Sequence, residues 1–249
     1  MKKIIYFTIV TFFSLKIISC SSTIDTASMS AEERYNYCFS LYQDKDYEKA
    51  AVEFEAFLIQ YPASNYADKA QYLLAFSRYK RKEFLLAAFE FARLIKNYPA
   101  SDFIPEAQFM LAESYYNLSP SYHLDQKYTK KAIEEYQAFL DFFPSNEKAE
   151  EAENKIKELN DKLALKEFTN AQLYEKMEYY NAAIFYYNKI EETYYDTKYA
   201  SLAAYRKIKL LILKDRTEEA IKNSEIFIEK YPNDPNIEEI KKLRNKLSA

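Results

Sequence analysis

One pattern is written five times along this chain: an alanine, an aromatic residue eleven positions later, and then proline or a substitute for it. It reads Ala50–Tyr61–Pro62, Ala87–Tyr98–Pro99, Ala132–Phe143–Pro144, Ala183–Tyr194–Tyr195 and Ala220–Tyr231–Pro232. Four residues after the alanines come Phe54, Phe91, Tyr136 and Tyr187, with Ser224 interrupting the series. Two residues past each proline position stands a residue of helix N-cap type: Ser64, Ser101, Asn146, Thr197 and Asp234. Alanines 50 and 87, like 183 and 220, lie 37 residues apart, a spacing that marks an array of helix pairs. Such a stack builds an extended surface and not a closed catalytic pocket, so binding is the first functional class to consider.

The chain contains no glycine in 249 residues. Backbone positions needing positive φ are therefore hard to fill, and Gly-rich phosphate loops, dinucleotide turns and nucleophile elbows are absent. His123 is the lone histidine, which removes most imidazole-based acid–base and metal sites. No cofactor is expected. The 25 Tyr and 18 Phe favour strands locally, but their spacing of three to four residues among Ala, Glu and Lys predicts helix.

At the N-terminus, Met1-Lys2-Lys3 precedes an apolar run from Ile4 to Leu15 and then Ile17-Ile18-Ser19-Cys20. The run is too short to span a bilayer, which takes roughly 20 apolar residues. It reads as a secretory signal over 1–19, and its end resembles a bacterial lipobox with Cys20 as the lipidated residue; Lys16 departs from that pattern. Losing Lys2, Lys3 and Lys16 makes the mature chain more acidic than the net −3 of the whole, and nucleic acid is not an expected partner. Cys38 then has no disulfide partner; it aligns with Ala75, Ala112 and Ala171, which predicts a small residue at a helix crossing.

A polar tether over 20–30 leads into a helical domain over 31–249. The pairs are predicted at 31–43 and 47–60, 65–82 and 84–97, 103–117 and 129–142, 168–177 and 180–193, 198–213 and 218–230, with a cap near 236–247. Alanines 87 and 132 are 45 apart, which places an eight-residue insertion at 119–126. Alanines 132 and 183 are 51 apart. The additional fourteen residues are close to four helical turns and predict one long helix over about 147–177, its Glu/Lys run a solvated face.

These residues resemble the tetratricopeptide repeat: Leu74-Ala75 and Leu111-Ala112 early in a unit, Tyr47, Phe84 or Tyr180 before the second helix, then the alanine, aromatic and proline. The runs from Pro99 to Tyr116 and from Leu124 to Tyr136, together with lipobox, insertion and long fourth-unit helix, resemble the BamD family of outer-membrane lipoproteins. The resemblance implies an all-α, right-handed superhelix of five helix pairs with a capping helix. It further implies a non-enzymatic role on the periplasmic side of the outer membrane, in β-barrel assembly. There the C-terminal repeats would bind the periplasmic domains of a BamA-like barrel subunit, and the N-terminal repeats would receive unfolded barrel proteins. Mapped through the family's inner-groove positions, the candidate surface is Tyr35, Phe39, Tyr42, Tyr72, Phe76, Tyr79, Phe109 and Tyr116, with Glu113, Phe168 and Tyr205 at equivalent positions. Spacing of i, i+4, i+7 puts them on one face of each first helix; packing between repeats is the competing account of the same rings. Other functional readings of the chain are a periplasmic scaffold for envelope or division coordination, a helical transglycosylase lacking room for its catalytic domain, and a surface nutrient-capture lipoprotein.

Overall fold

The computed structural model describes residues 25–248; the signal segment and Cys20 lie outside them. The described residues form eleven α-helices: α1 Ala31–Gln43, α2 Tyr47–Gln60, α3 Ala67–Lys80, α4 Phe84–Asn97, α5 Ile104–Leu118, α6 Lys127–Phe142, α7 Ala149–Lys176, α8 Tyr180–Thr193, α9 Lys198–Leu213, α10 Thr217–Lys230 and α11 Ile237–Leu247. Each helix packs on the next in sequence, and the first helices of neighbouring units also touch, α1 with α3 and α7 with α9. No helix among the described residues is long and apolar enough to cross a membrane.

The repeat alanines explain the stacking. Ala50, Ala87, Ala132, Ala183 and Ala220 are all fully buried, where a second helix meets its neighbours with no room for a larger side chain. The residues four and seven further on are buried with them: Phe54 and Phe57, Phe91 and Leu94, Tyr136 and Phe139, Tyr187 and Ile190. In the last unit Ser224 takes the first of these places and donates its hydroxyl to the Ala220 carbonyl at 2.7 Å, so it is buried without an unpaired group. Cys38, Ala75, Ala112 and Ala171 likewise have no exposed surface, and burial pushes the Cys38 thiol pKa up to about 12.

Two local expectations need correction. Among the five presumed caps only Thr197 is the residue that begins a helix; the caps of α3, α5, α7 and α11 are Tyr66, Phe103, Lys148 and Asn236. Ser64, Ser101, Asn146 and Asp234 instead accept from the amide two residues on, closing a turn ahead of the helix. Nor does the lack of glycine exclude positive φ. Lys45, Lys82, Glu178 and Asp215 have φ of 61°, 62°, 63° and 55°, each one residue past the cap of a first helix. Lys82 shows why. Its amide bonds Tyr79 O at 2.9 Å and the Glu83 amide bonds Arg78 O at 3.0 Å, a Schellman pair that satisfies two end carbonyls and turns the chain into α4.

The last residues of the tether are fastened. Gln60 Nε2 donates to Ala27 O at 3.4 Å, and the Tyr61 hydroxyl donates to Met29 O. The chain thus enters the fold at the C-terminal end of α2.

Fourteen residues of α-helix return nearly to the same face, so α7 serves two cores. Ala152 and Leu159 are buried against α5 and α6, while Leu163, Ala164, Phe168 and Ala171 are buried against α8 and α9. At the far end Ile240 of α11 is fully buried beside Ile208 and Phe227, covering the final pair.

Candidate functional site

The inner faces of α1 and α3 carry a connected series of rings. Within α1, Tyr35 stacks on Phe39 and Phe39 on Tyr42, at centroid separations of 6.0 and 6.3 Å. Tyr42 meets Phe76 across the two units at 6.4 Å. Within α3, Tyr72 stacks on Phe76 at 5.8 Å and Phe76 on Tyr79 at 6.1 Å. Phe39, Tyr42, Tyr72, Phe76 and Tyr79 are each partly exposed. Two ammonium groups border the series, Lys69 Nζ 5.4 Å from the Phe39 centroid and Lys80 Nζ 4.9 Å from that of Phe76. Burial raises the pKa of Tyr42, Tyr72 and Tyr79, so the rings stay neutral donors at any physiological pH.

Tyr35 and Phe109 do not belong to that open surface, which corrects the sequence-based set. Both are only 4% exposed, and Phe168 is 5% exposed. A residue that opens the following unit covers three of the rings at this position. Tyr66 stacks on Tyr35 at 4.7 Å, Phe103 on Tyr72 at 5.0 Å, and Lys148 Nζ lies 4.8 Å from the Phe109 centroid. Phe109 also meets Tyr136 and Phe139 edge-on. Rings at the first ladder position therefore face the joint between units, and those four and seven residues later face outward.

Beyond Tyr79 the chemistry of the inner face changes. Glu113 stands where Phe39 and Phe76 stand in the earlier units. It accepts from the hydroxyl of the fully buried Tyr136, pairs with Lys155 at 3.3 Å, and lies 3.5 Å from the Tyr79 hydroxyl. Burial, followed by the Glu113 hydrogen bond, raises the Tyr136 pKa strongly. Tyr116 donates to Glu158 at 2.8 Å beneath Lys155, whose Nζ is 3.7 Å from its ring centroid; burial and then Glu158 push its pKa to about 12. The aromatic run thus ends against the first half of α7, beside an open concavity of about 390 Å³ lined by Glu147, Glu150, Glu151, Asn154, Lys155 and Glu158. Tyr205, in the last unit, is tied to Glu239 at 2.9 Å and is remote from the series.

The two departures from the 37-residue period meet in space. Lys162 of α7 donates to Ser119 Oγ at 2.9 Å, and Lys166 donates to the carbonyls of Tyr122, His123 and Leu124 at 3.2, 3.3 and 2.9 Å. Buried Gln126 closes the loop from inside through Ser121 O and Leu124 O. Sequence reasoning missed Lys155, Lys162 and Lys166, because lysines in a Glu/Lys run read as solvent-facing. Their i, i+7, i+11 spacing on one helix face was the available signal.

Helix pairs stacked in register, with partly exposed rings along the first helices of units one and two, are an arrangement of tetratricopeptide type. The sequence matches the family model described as "YfiO: Outer membrane lipoprotein" over residues 27–217, and the chain belongs to that family of outer-membrane lipoproteins. It is similar to the outer membrane protein assembly factor BamD of Rickettsia prowazekii (strain Madrid E), 27% identical over 199 residues that cover 80% of this chain and 79% of that one. Among solved structures, the TPR2AB-domain:pHSP90 complex of yeast Sti1 is 16% identical with a TM-score of 0.40, covering 88% of this chain and 98% of that one. A repeat protein of Parabacteroides merdae is also 16% identical, with a TM-score of 0.38 and coverage of 87% and 72%.

Proposed function

We propose that this protein is a non-enzymatic component of outer-membrane protein assembly, anchored through a lipid on Cys20 and facing the periplasm. Its first two units receive extended, aromatic-rich segments of unfolded barrel proteins, and its C-terminal units hold a BamA-like barrel subunit through that subunit's periplasmic domains. The carrying observation is the unbroken run of partly exposed rings from Phe39 through Tyr42 and Phe76 to Tyr79. Flat amphipathic rings accept alternating side chains of a strand without a demanding geometry, and each such contact contributes roughly 0.5–1.5 kcal/mol beyond area burial. Membership of an outer-membrane lipoprotein family and similarity to an assembly factor support the same reading.

The test is the binding of a C-terminal barrel-strand peptide, read by fluorescence anisotropy. Replacing Phe39, Tyr42, Phe76 and Tyr79 with leucine keeps apolar volume but removes the π faces, and should weaken binding about tenfold or more. Co-purification of the barrel subunit from native membranes should be unchanged. A folded variant that binds the peptide as before removes the groove. Separately, Cys20→Ser should move the protein from the membrane to the soluble periplasm, because firm attachment takes more than one acyl chain; retention through a high-salt wash would show that another contact holds it.

A further inference from the structure

The outward face of α4 differs from every equivalent face in the molecule. Leu85, Leu86 and Phe89 are 52%, 47% and 59% exposed, on adjoining positions of one helical surface. The same positions hold Glu48, Lys49 and Val52 in the first unit, Lys130, Lys131 and Glu134 in the third, Asn181, Ala182 and Phe185 in the fourth, and Glu218, Glu219 and Lys222 in the fifth. Single exposed apolar residues such as Val52 and Phe185 are ordinary; three together, where the first, third and fifth units carry mostly charge, are not. None of the three belongs to a core cluster among the described residues.

The charge around them is one-sided. The only carboxylate within α4, Glu90, is turned inward, 4% exposed and bonded by Gln71 at 2.8 Å and Arg93 at 3.0 Å. Glu83, just ahead of the helix, is paired with Arg81 and Arg78. Arg93, beside Phe89, is taken up by Glu90, and the charged groups left along the stripe are Lys82 at the turn and Lys96 at the far end. This is notable in a chain of net negative charge.

We infer that this face docks an amphipathic helix of a partner protein, its apolar stripe seated on Leu85, Leu86 and Phe89 and its flanking carboxylates meeting Lys82 and Lys96. A lipid surface offers the same chemistry and is an outcome the test separates; a single stripe along one helix, with Lys82 and Lys96 at its two ends, matches a partner helix of similar length. The inference stands independently of the aromatic groove.

The full-length protein with a benzophenone amino acid at Leu86 is irradiated in intact envelopes, and the adduct is mapped to residues by mass spectrometry. The expected adduct lies on a helix-forming segment of another protein, with apolar residues at i, i+3 and i+4 flanked by Asp or Glu. Its yield should fall about fivefold with Lys82→Glu and Lys96→Glu, at unchanged circular dichroism. An adduct on phospholipid, on a second copy of this chain or on a segment without carboxylates overturns the inference, as does no adduct or a yield that charge reversal leaves unmoved.

Discussion

Units one and two present rings to the inner face, whereas unit three presents Glu113 at the equivalent position and closes it with Lys155 and Glu158 from α7. Both regions are built of helix pairs; among the ladder positions, only the residue four places after the first ring changes from aromatic to charged. A ring there leaves an open apolar step, and a carboxylate there recruits a buried hydroxyl and an ammonium group. The comparison shows how a repeat scaffold limits an aromatic surface without changing fold: one substitution ends the aromatic run where the long helix begins.

The largest expected effect is alkaline. Tyrosines whose folded pKa lies above the ordinary value of 10 must be neutral in the fold, so the unfolded chain loses protons first. Stability is complete below pH 10 and declines as pH rises toward 12, the value reached by Tyr35, Tyr116 and Tyr231. Urea midpoints measured between pH 8 and 12 should fall steeply only in the upper half of that range. Tyr136→Phe should flatten the decline more than Tyr79→Phe, because the Tyr136 hydroxyl is buried against Glu113 and the Tyr79 hydroxyl is partly solvated. Equal slopes would dissolve the distinction between the two regions.

Next in size is Glu113→Ala, which leaves the Tyr136 hydroxyl and Lys155 without their acceptor and should cost about 2–3 kcal/mol in denaturant unfolding. Tyr136→Phe in the same background should recover part of that cost, since the stranded hydroxyl is then gone. If the two changes simply add, Glu113 is not what organises the closed region.

The pattern of alanine, ring and turn was legible because each position is a packing constraint. No residue but a small one fits at Ala87 or Ala132, and ring spacing fixes which helix face is buried. Helix bounds and the long α7 followed from the same arithmetic. The separation of Tyr35 and Phe109 from their neighbours was not legible, since what covers them comes from Tyr66 and Lys148, the first residues of the next unit. Nor was the docking of loop 119–126 on Lys162 and Lys166, because the sequence shows two insertions and not that they touch.

Tyr35 and Tyr136 allow a contrast in sign. Both are buried, but the Tyr35 hydroxyl meets no hydrogen-bond partner among the described residues. Tyr35→Phe should therefore be neutral or stabilise, and Tyr136→Phe should cost about 1 kcal/mol. Thermal melts of the two single variants decide it, and a loss of equal size in both would place a partner at Tyr35.

The smallest effect lies in the turns. Lys82 holds a left-handed conformation that costs a non-glycine residue roughly 1–2 kcal/mol. Glycine removes that cost but gives the unfolded chain more freedom, which returns about 0.4–1 kcal/mol. Lys82→Gly should thus stabilise by about 0.5–1 kcal/mol, whereas Lys82→Ala keeps the Cβ and should gain nothing. Unit three supplies the control. Ser119, the cap of α5, has φ of −67°, and no described residue of the 119–126 loop has positive φ. Ser119→Gly should therefore destabilise, both through chain entropy and through loss of the hydroxyl that Lys162 and Thr129 share. Gains at Lys45, Lys82, Glu178 and Asp215 with a loss at Ser119 would show that the third unit is turned by its loop and α7, while the others are turned by one strained residue each.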